Sequence, residues 1–182
     1  MSFAFRRLEI PDLVLVSPAR LGDTRGFFAE TYRASEFAEA GITAPFVQDN
    51  LARSGPRVLR GLHYQLPPVP QGKLVQVLRG RIFDVAVDLR RGSPTLGRWV
   101  GQELGEETGD LLWIPPGFAH GYAVLSEGVD LAYKVTAEYR AELDRGVRWD
   151  DPAIGVAWPF RDPVLSARDR SLPLLADAGT LF

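Results

Sequence analysis

The chain contains no cysteine, so disulfides, zinc–thiolate sites and thiol nucleophiles are all excluded. Histidine is nearly as scarce, with His63 and His120 the only two among 182 residues. No apolar run approaches the length of a membrane-spanning helix, and the opening MSFAFRRLEIPDL lacks the long apolar core of a signal peptide. The expected compartment is therefore the cytoplasm, with no membrane partner. There is no excess of positive charge either. The formal net charge is −2 and the isoelectric point about 5.7, which disfavours a nucleic-acid binder. Repeats, low-complexity tracts and linker-like stretches are absent, so residues 1–182 read as one domain, long enough to bury a sizeable core.

What is present is mostly β signal. Phe83, Val85, Val87 and Leu89 alternate with Asp84, Ala86 and Asp88, the two-residue period of a strand. The preceding run KLVQVL connects through Arg79-Gly80-Arg81, a short glycine-containing link typical of a hairpin. DLLWIP, HGYAVLS and VDLAYKVT continue in this style between Pro and Gly punctuation. Two helices are expected. One is SEFAEAG, with Ser35 as N-cap and Gly41 just past its end; the other runs from about Ser166 to Ala178, interrupted by Pro173. Short, closely spaced strands with few helices predict a mainly β fold, an antiparallel jelly-roll barrel with a few short peripheral helices.

In GDLLWIPPGFAH, Gly109, Pro115, Gly117 and His120 follow the spacing G-x5-P-x-G-x2-H. This pattern resembles the second motif of the cupins, a superfamily of small jelly-roll barrels. Metal-binding cupins carry H-x-H and a Glu in their first motif. Here His63 and Gln65 stand at H-x-H, and Lys73, six residues before Gly80, takes the place of the Glu. An ammonium cannot ligate a cation and repels one. One imidazole and an amide also fall short of the usual ligand count. A metal-free barrel is expected, with the vacated positions put to another use.

Strand alternation places Lys73 on a face with Val75 and Val77, and Tyr133 on a face with Val129, Leu131 and Val135. If those apolar faces line the barrel, both side chains point inward. A buried lysine needs a partner or a purpose. An imidazole, an ammonium and a phenol converging in a dry barrel supply a base, an oxyanion stabiliser and an acid. That set suits proton abstraction next to a carbonyl, with proton return to the other face.

A wider resemblance then covers the chain from end to end. DTRGFFAETY (23–32), FVQDN (46–50), VLRGLHYQ (58–65), QGKLVQVLRGRIFDVAVDLR (71–90), GSPTLG (92–97), WIPPGFAHG (113–121), YKVTAEY (133–139), GVRWDDPAIGVAWP (146–159) and LSARD (165–169) together resemble the dTDP-4-dehydrorhamnose 3,5-epimerase family. The resemblance implies a cofactor-free enzyme acting on dTDP-4-keto-6-deoxyglucose, working as a homodimer. It implies His63 as general base beside the C4 ketone, Asp169 as its orienting partner, Lys73 as stabiliser of the enolate oxygen and Tyr133 as the acid on the opposite side. His120 and Arg60 would contact the sugar and diphosphate. Arg25, Glu30, Gln48 and Asn50 would line the nucleotide site, partly across a dimer interface, with Tyr139 stacked on thymine. Asp144 stands where the family usually has Glu, and Arg168 where Lys is common; charge is kept while reach and geometry change. A histidine has a reference pKa of about 6.5, so an imidazole base is available at pH 7.

Other readings stand beside these. For His120, pinning the loop PPGFA and binding a ligand are level alternatives. Lys73 can snorkel to solvent, Tyr133 can be ordinary packing, and Arg25 and Glu30 an ordinary surface pair. Nothing local brings Asp169 to His63. Strict alternation also sets Arg60 and His63 on opposite faces, whereas the family reading needs both at the substrate; a bulge at Gly61 resolves the conflict. Alternative functions are a single-site epimerase or ketoisomerase on a related 4-keto sugar nucleotide, and a non-catalytic cupin that binds a sugar nucleotide.

Overall fold

A computed structural model of the chain describes residues 2–179, 181 and 182. Two antiparallel sheets face each other. One runs in the order β1 (Phe3–Arg7), β2 (Val14–Pro18), β10 (Leu111–Ile114), β7 (Lys73–Arg79), β12 (Val129–Val135), β5 (Gln48–Ser54). The other runs β13 (Asp144–Gly146), β6 (Leu59–Gln65), β11 (Phe118–Val124), β8 (Arg81–Asp88), β9 (Trp99–Gly105). A separate hairpin pairs β3 (Arg20–Asp23) with β4 (Gly26–Ala29). The expected mainly β, jelly-roll architecture with short peripheral helices is what the chain forms.

Three apolar layers hold it together. Val75, Val77, Ile82, Leu112, Ile114, Val129 and Leu131 pack between the sheets. The alternation in β8 is therefore two-sided: Ile82 and Ala86 point into the barrel, while Val85, Val87 and Leu89 face outward under Val147, Ile154, Trp158 and Leu175 of the C-terminal segment. On the far side of the six-stranded sheet, Leu74, Leu111 and Trp113 are covered by Phe37 and Ile42.

Three expectations need correction. The Arg79-Gly80-Arg81 link does not close a hairpin: β7 and β8 lie in different sheets. Gly80, at φ +84, carries the chain from one sheet to the other where a Cβ would collide with the Gly128 carbonyl. Helix α1 spans Ala34–Glu39, with Arg33 and not Ser35 at the N-cap position and no side-chain cap. Arg33 instead bonds both Glu30 and Glu36, which pins the entry, and Phe37 anchors the helix edge-on to Phe3, Phe5 and Tyr32. The C-terminal helical segment, interrupted at Pro173 as expected, is shorter on both sides: α2 covers Ala167–Arg170 with Ser166 as its N-cap, and a single 3-10 turn covers Leu175–Asp177. Beyond α2, Pro173 cannot continue the ladder; its carbonyl accepts from the Arg148 amide, and the Leu175 amide donates to Asp151, so the segment is laid against the 148–151 loop.

Candidate active site

Between the sheets lies a cavity of about 160 Å³ lined by Arg60, His63, Lys73, His120 and Tyr133, with Ala52 and Leu131 as its apolar wall. His63 and Arg60 come from β6 and His120 from β11 in one sheet. Lys73 and Tyr133 come from β7 and β12 in the other. Lys73 and Tyr133, placed inward by alternation, converge there with the His63 imidazole.

The register explains how Arg60 and His63 share the cavity. His63 pairs with His120 and Arg60 with Tyr122, so three steps along β6 match two along β11. One extra residue is accommodated at Gly61–Leu62, a bulge that resets the phase. Gly61 has φ +125, and a Cβ there would lie 2.5 Å from the Gly121 Cα and 2.8 Å from the His120 carbonyl oxygen. Only glycine fits both the dihedral and the space. Arg60 then spans β5: its Nε donates to Ser54 Oγ at 3.0 Å, and that hydroxyl also bonds the Tyr122 hydroxyl at 3.1 Å.

Asp169, distant in sequence, reaches the cavity from behind. His63 Nε2 lies 2.6 Å from its Oδ1, and a carboxylate partner assigns the hydrogen to Nε2, leaving Nδ1 as the nitrogen that accepts a proton. Ser166 holds the acid in place, donating from Oγ to Asp169 Oδ2 at 2.9 Å while accepting from the Asp169 amide at 3.0 Å. Burial pushes the Asp169 carboxyl up, but the hydrogen bonds from His63 and Ser166 and the charge of Arg168 outweigh it and hold the group below the usual range.

Lys73 is desolvated among these groups, which pulls its ammonium down to about 8 against the opposing pull of Asp144 and Asp84. Its hydrogen bond to the His63 carbonyl is a long 3.4 Å, so most of its donor capacity faces the cavity. Burial lowers His120 despite the Asp84 carboxylate 2.9 Å from its Nε2, with Lys73 and His63 adding to the fall. Desolvation raises the Tyr133 phenol, which keeps its proton on at neutral pH.

The remaining predicted residues divide. Gln48, Asn50, Ala52 and Ser54 share the inward face of β5, and Gln48 bonds both Asn50 and the Tyr139 amide. Asp144 gathers Tyr139 and Arg168, accepting from the Tyr139 hydroxyl at 3.0 Å and pairing with Arg168 at 2.6 Å. The Tyr139 ring of this cluster is exposed. Arg25 and Glu30 do not reach the cavity of their own chain. Arg25 pairs with Asp23 on the β3–β4 hairpin, and Glu30 with Arg33.

Sequence reasoning missed Asp84, Ser166 and the role of Gln65. Asp84 sits in an alternating strand, where a polar residue reads as solvent-facing. Ser166 was visible as the S-x-x-D capping pattern of SARD. Gln65 is buried and ties two loop segments together: its Nε2 donates to the Val69 and Glu138 carbonyls and its Oε1 accepts from the Arg140 amide. Among the described residues no three His, Cys, Asp or Glu side chains gather as metal ligands, and no helix is long and apolar enough to cross a membrane.

The model of the dTDP-4-dehydrorhamnose 3,5-epimerase family matches residues 7–177. The chain belongs to that family. A dTDP-4-dehydrorhamnose 3,5-epimerase from Pseudomonas aeruginosa is 52% identical over 174 residues, 94% of this chain and 96% of the relative. The solved dTDP-6-deoxy-D-glucose-3,5-epimerase of Legionella pneumophila, in complex with dTDP-4-keto-L-rhamnose, superposes with a TM-score of 0.92 at 47% identity, covering 96% of this chain and 93% of that one. A dTDP-4-dehydrorhamnose 3-epimerase from Streptomyces niveus is 37% identical over 174 residues, 95% of this chain and 84% of the relative. The chain is thus an isomerase of the epimerase class with a cupin-type barrel.

Proposed function

We propose that this enzyme inverts C3 and C5 of dTDP-4-keto-6-deoxyglucose to give dTDP-4-keto-L-rhamnose, in dTDP-rhamnose biosynthesis, with the whole chain acting as one catalytic domain. The observation that carries this reading is the opposition of His63 and Tyr133, a base and an acid from facing sheets, across a cavity that also holds Lys73.

The chemistry follows from those positions. The C4 ketone acidifies the protons on its neighbours, so proton removal needs no electron sink beyond the carbonyl. Nδ1 of His63 takes the proton, and Asp169 stabilises the imidazolium through the 2.6 Å hydrogen bond on Nε2. The Lys73 ammonium donates to the enolate oxygen, where negative charge develops. Tyr133, on the other side of the ring, returns a proton and so inverts the carbon. Arg60 and His120 hold the sugar and diphosphate, while Gln48, Asn50, Tyr139, Asp144 and Arg168 take the nucleotide, with thymine stacked on Tyr139. The reading requires no metal or cofactor.

Arg25 and Glu30 act in the site of a second copy. The β3–β4 hairpin exposes Leu21, Phe27 and Phe28, an apolar surface suited to covering by a partner, and Arg25 lies at its turn. A homodimer in which each hairpin completes the partner's nucleotide site accounts for both the apolar surface and the distance of Arg25 from its own cavity. The cytoplasm is the compartment this implies, because a charged nucleotide sugar does not cross a membrane unaided.

Similarity to a 3-epimerase motivates a second reading, inversion at C3 alone. Incubating the enzyme with dTDP-4-keto-6-deoxyglucose and reading ring coupling constants by proton NMR decides between them. A product inverted at both carbons supports the first reading, inversion at C3 alone supports the second, and unchanged substrate contradicts both.

A further inference from the structure

One charged group in the barrel has no part in the scheme above. Asp84 is fully buried on β8 and points between the sheets. Its two oxygens lie 3.0 and 2.9 Å from a single donor, Nε2 of His120. Its pairing with His120 is itself buried, the imidazole only 8% exposed. A carboxylate placed where solvent cannot reach it is costly unless its charge is used. We propose that Asp84 is a positioning residue of this epimerase: it fixes His120 as the Nε2–H tautomer with Nδ1 left to accept a hydroxyl of the substrate, and it sets a buried negative charge behind the cavity that His120 shares with Lys73.

The first half rests on the buried hydrogen bond, and the second on Lys73 lining the same cavity as the His120 that Asp84 holds. A carboxylate accepts and never donates, so the Nε2 hydrogen is assigned by its partner, and the ring nitrogen remaining for a ligand is an acceptor. A sugar hydroxyl, which has a hydrogen to give, is the matching chemistry. The cationic groups around His120 and Lys73 are Arg60 and, when protonated, His63 on β6. The acidic and phenolic ones are Asp84 on β8, Tyr122 on β11, Tyr133 on β12 and Asp144 on β13, with Asp169 engaged behind His63. Of the two carboxylates that oppose the desolvation of Lys73, Asp144 is already paired with Arg168. Asp84 is the one without a permanent cation of its own.

The test uses the small number of histidines and lysines. His63 and His120 are the only histidines, and Lys73 and Lys134 the only lysines, so selective labelling gives two signals of each kind. In ¹⁵N-histidine protein, His120 is expected as the neutral Nε2–H tautomer from pH 6 to 8. In ¹³C-lysine protein, Asp84→Asn is expected to move the Lys73 midpoint, about 8 in the native protein, down by about half a pH unit or more. The basic limb of kcat/KM should move with it. A His120 imidazolium or Nδ1–H tautomer in the native protein, or an unmoved Lys73 midpoint in the variant, overturns the proposal. If Asp84→Asn does not fold, the paired variant Asp84→Asn/His120→Gln removes the same charge without stranding the imidazole. This inference rests on the proposed reaction for its role in catalysis. The NMR measurements need no substrate, however, so an inactive native protein with the expected tautomer and Lys73 shift would fail the reaction and spare the electrostatics.

Discussion

Lys73 carries two opposed demands in one side chain. The proposed reaction needs its ammonium at the enolate oxygen, yet the fold desolvates it to about 8. As pH rises through that value the ammonium is lost, so kcat should fall on the basic side near pH 8, measured with dTDP-4-keto-6-deoxyglucose across pH 6–10. The stability consequence has the opposite sense. The native lysine sheds its proton near 8 and the unfolded one near the reference value of about 10.4, so between those values the unfolded state binds more protons and stability rises with pH. Lys73→Met removes the desolvated charge. At pH 7 it should raise stability by about 1–2 kcal/mol in urea unfolding while lowering kcat roughly 10²–10³-fold, the usual effect of removing an oxyanion donor. A variant that loses stability as well as activity would contradict this account of Lys73.

Two elements place the chemistry, and they differ in how far the sequence discloses them. The β6 bulge was legible only with the family resemblance: alternation separates Arg60 from His63, the resemblance sets both at the substrate, and Gly61 between them was the place to break the phase. Gly61→Ala puts a methyl group against the Gly121 backbone at a positive φ, so it should cost about 2 kcal/mol or more and turn His63 away from Asp169. A native-like melting temperature together with native-like kcat would refute it. The 88–97 loop was legible only as turn residues. It is organised by Asp88, fully buried, which accepts from Arg90, Ser93 and Thr95. Burial raises this carboxyl, but those hydrogen bonds prevail and hold it at about 2. Its stabilisation is therefore full above the unfolded carboxylate range and lost as pH falls through about 2. Asp88→Asn should cost about 2 kcal/mol at pH 7, a difference that narrows between pH 4 and 2 when both proteins are unfolded in urea. What alternation could not supply was partnership across sheets: which strands pair, that β7 and β8 part at Gly80, and that Asp84 faces inward. Those depend on contacts between residues far apart in the chain. The Asp169–His63 bond is of the same kind, and only the family resemblance anticipated it.

At the scale of the whole molecule, two sheets build the cavity, and the proposed homodimer adds a neighbour's hairpin at its mouth. The exposed Leu21, Phe27 and Phe28 predict a dimer, and the paired change Phe27→Asp, Phe28→Ser should give a monomer by sedimentation whose KM rises more than its kcat falls, because Arg25 no longer reaches a partner's nucleotide. A variant that stays dimeric would remove the hairpin from the interface. The central claim, that His63 abstracts protons beside the C4 ketone on both sides, is tested most directly by proton NMR of dTDP-4-keto-6-deoxyglucose incubated with the enzyme in D₂O. Solvent deuterium should enter at C3 and at C5, and His63→Ala should abolish both. Absence of exchange at either carbon, in a folded native protein that binds the nucleotide, would contradict the account.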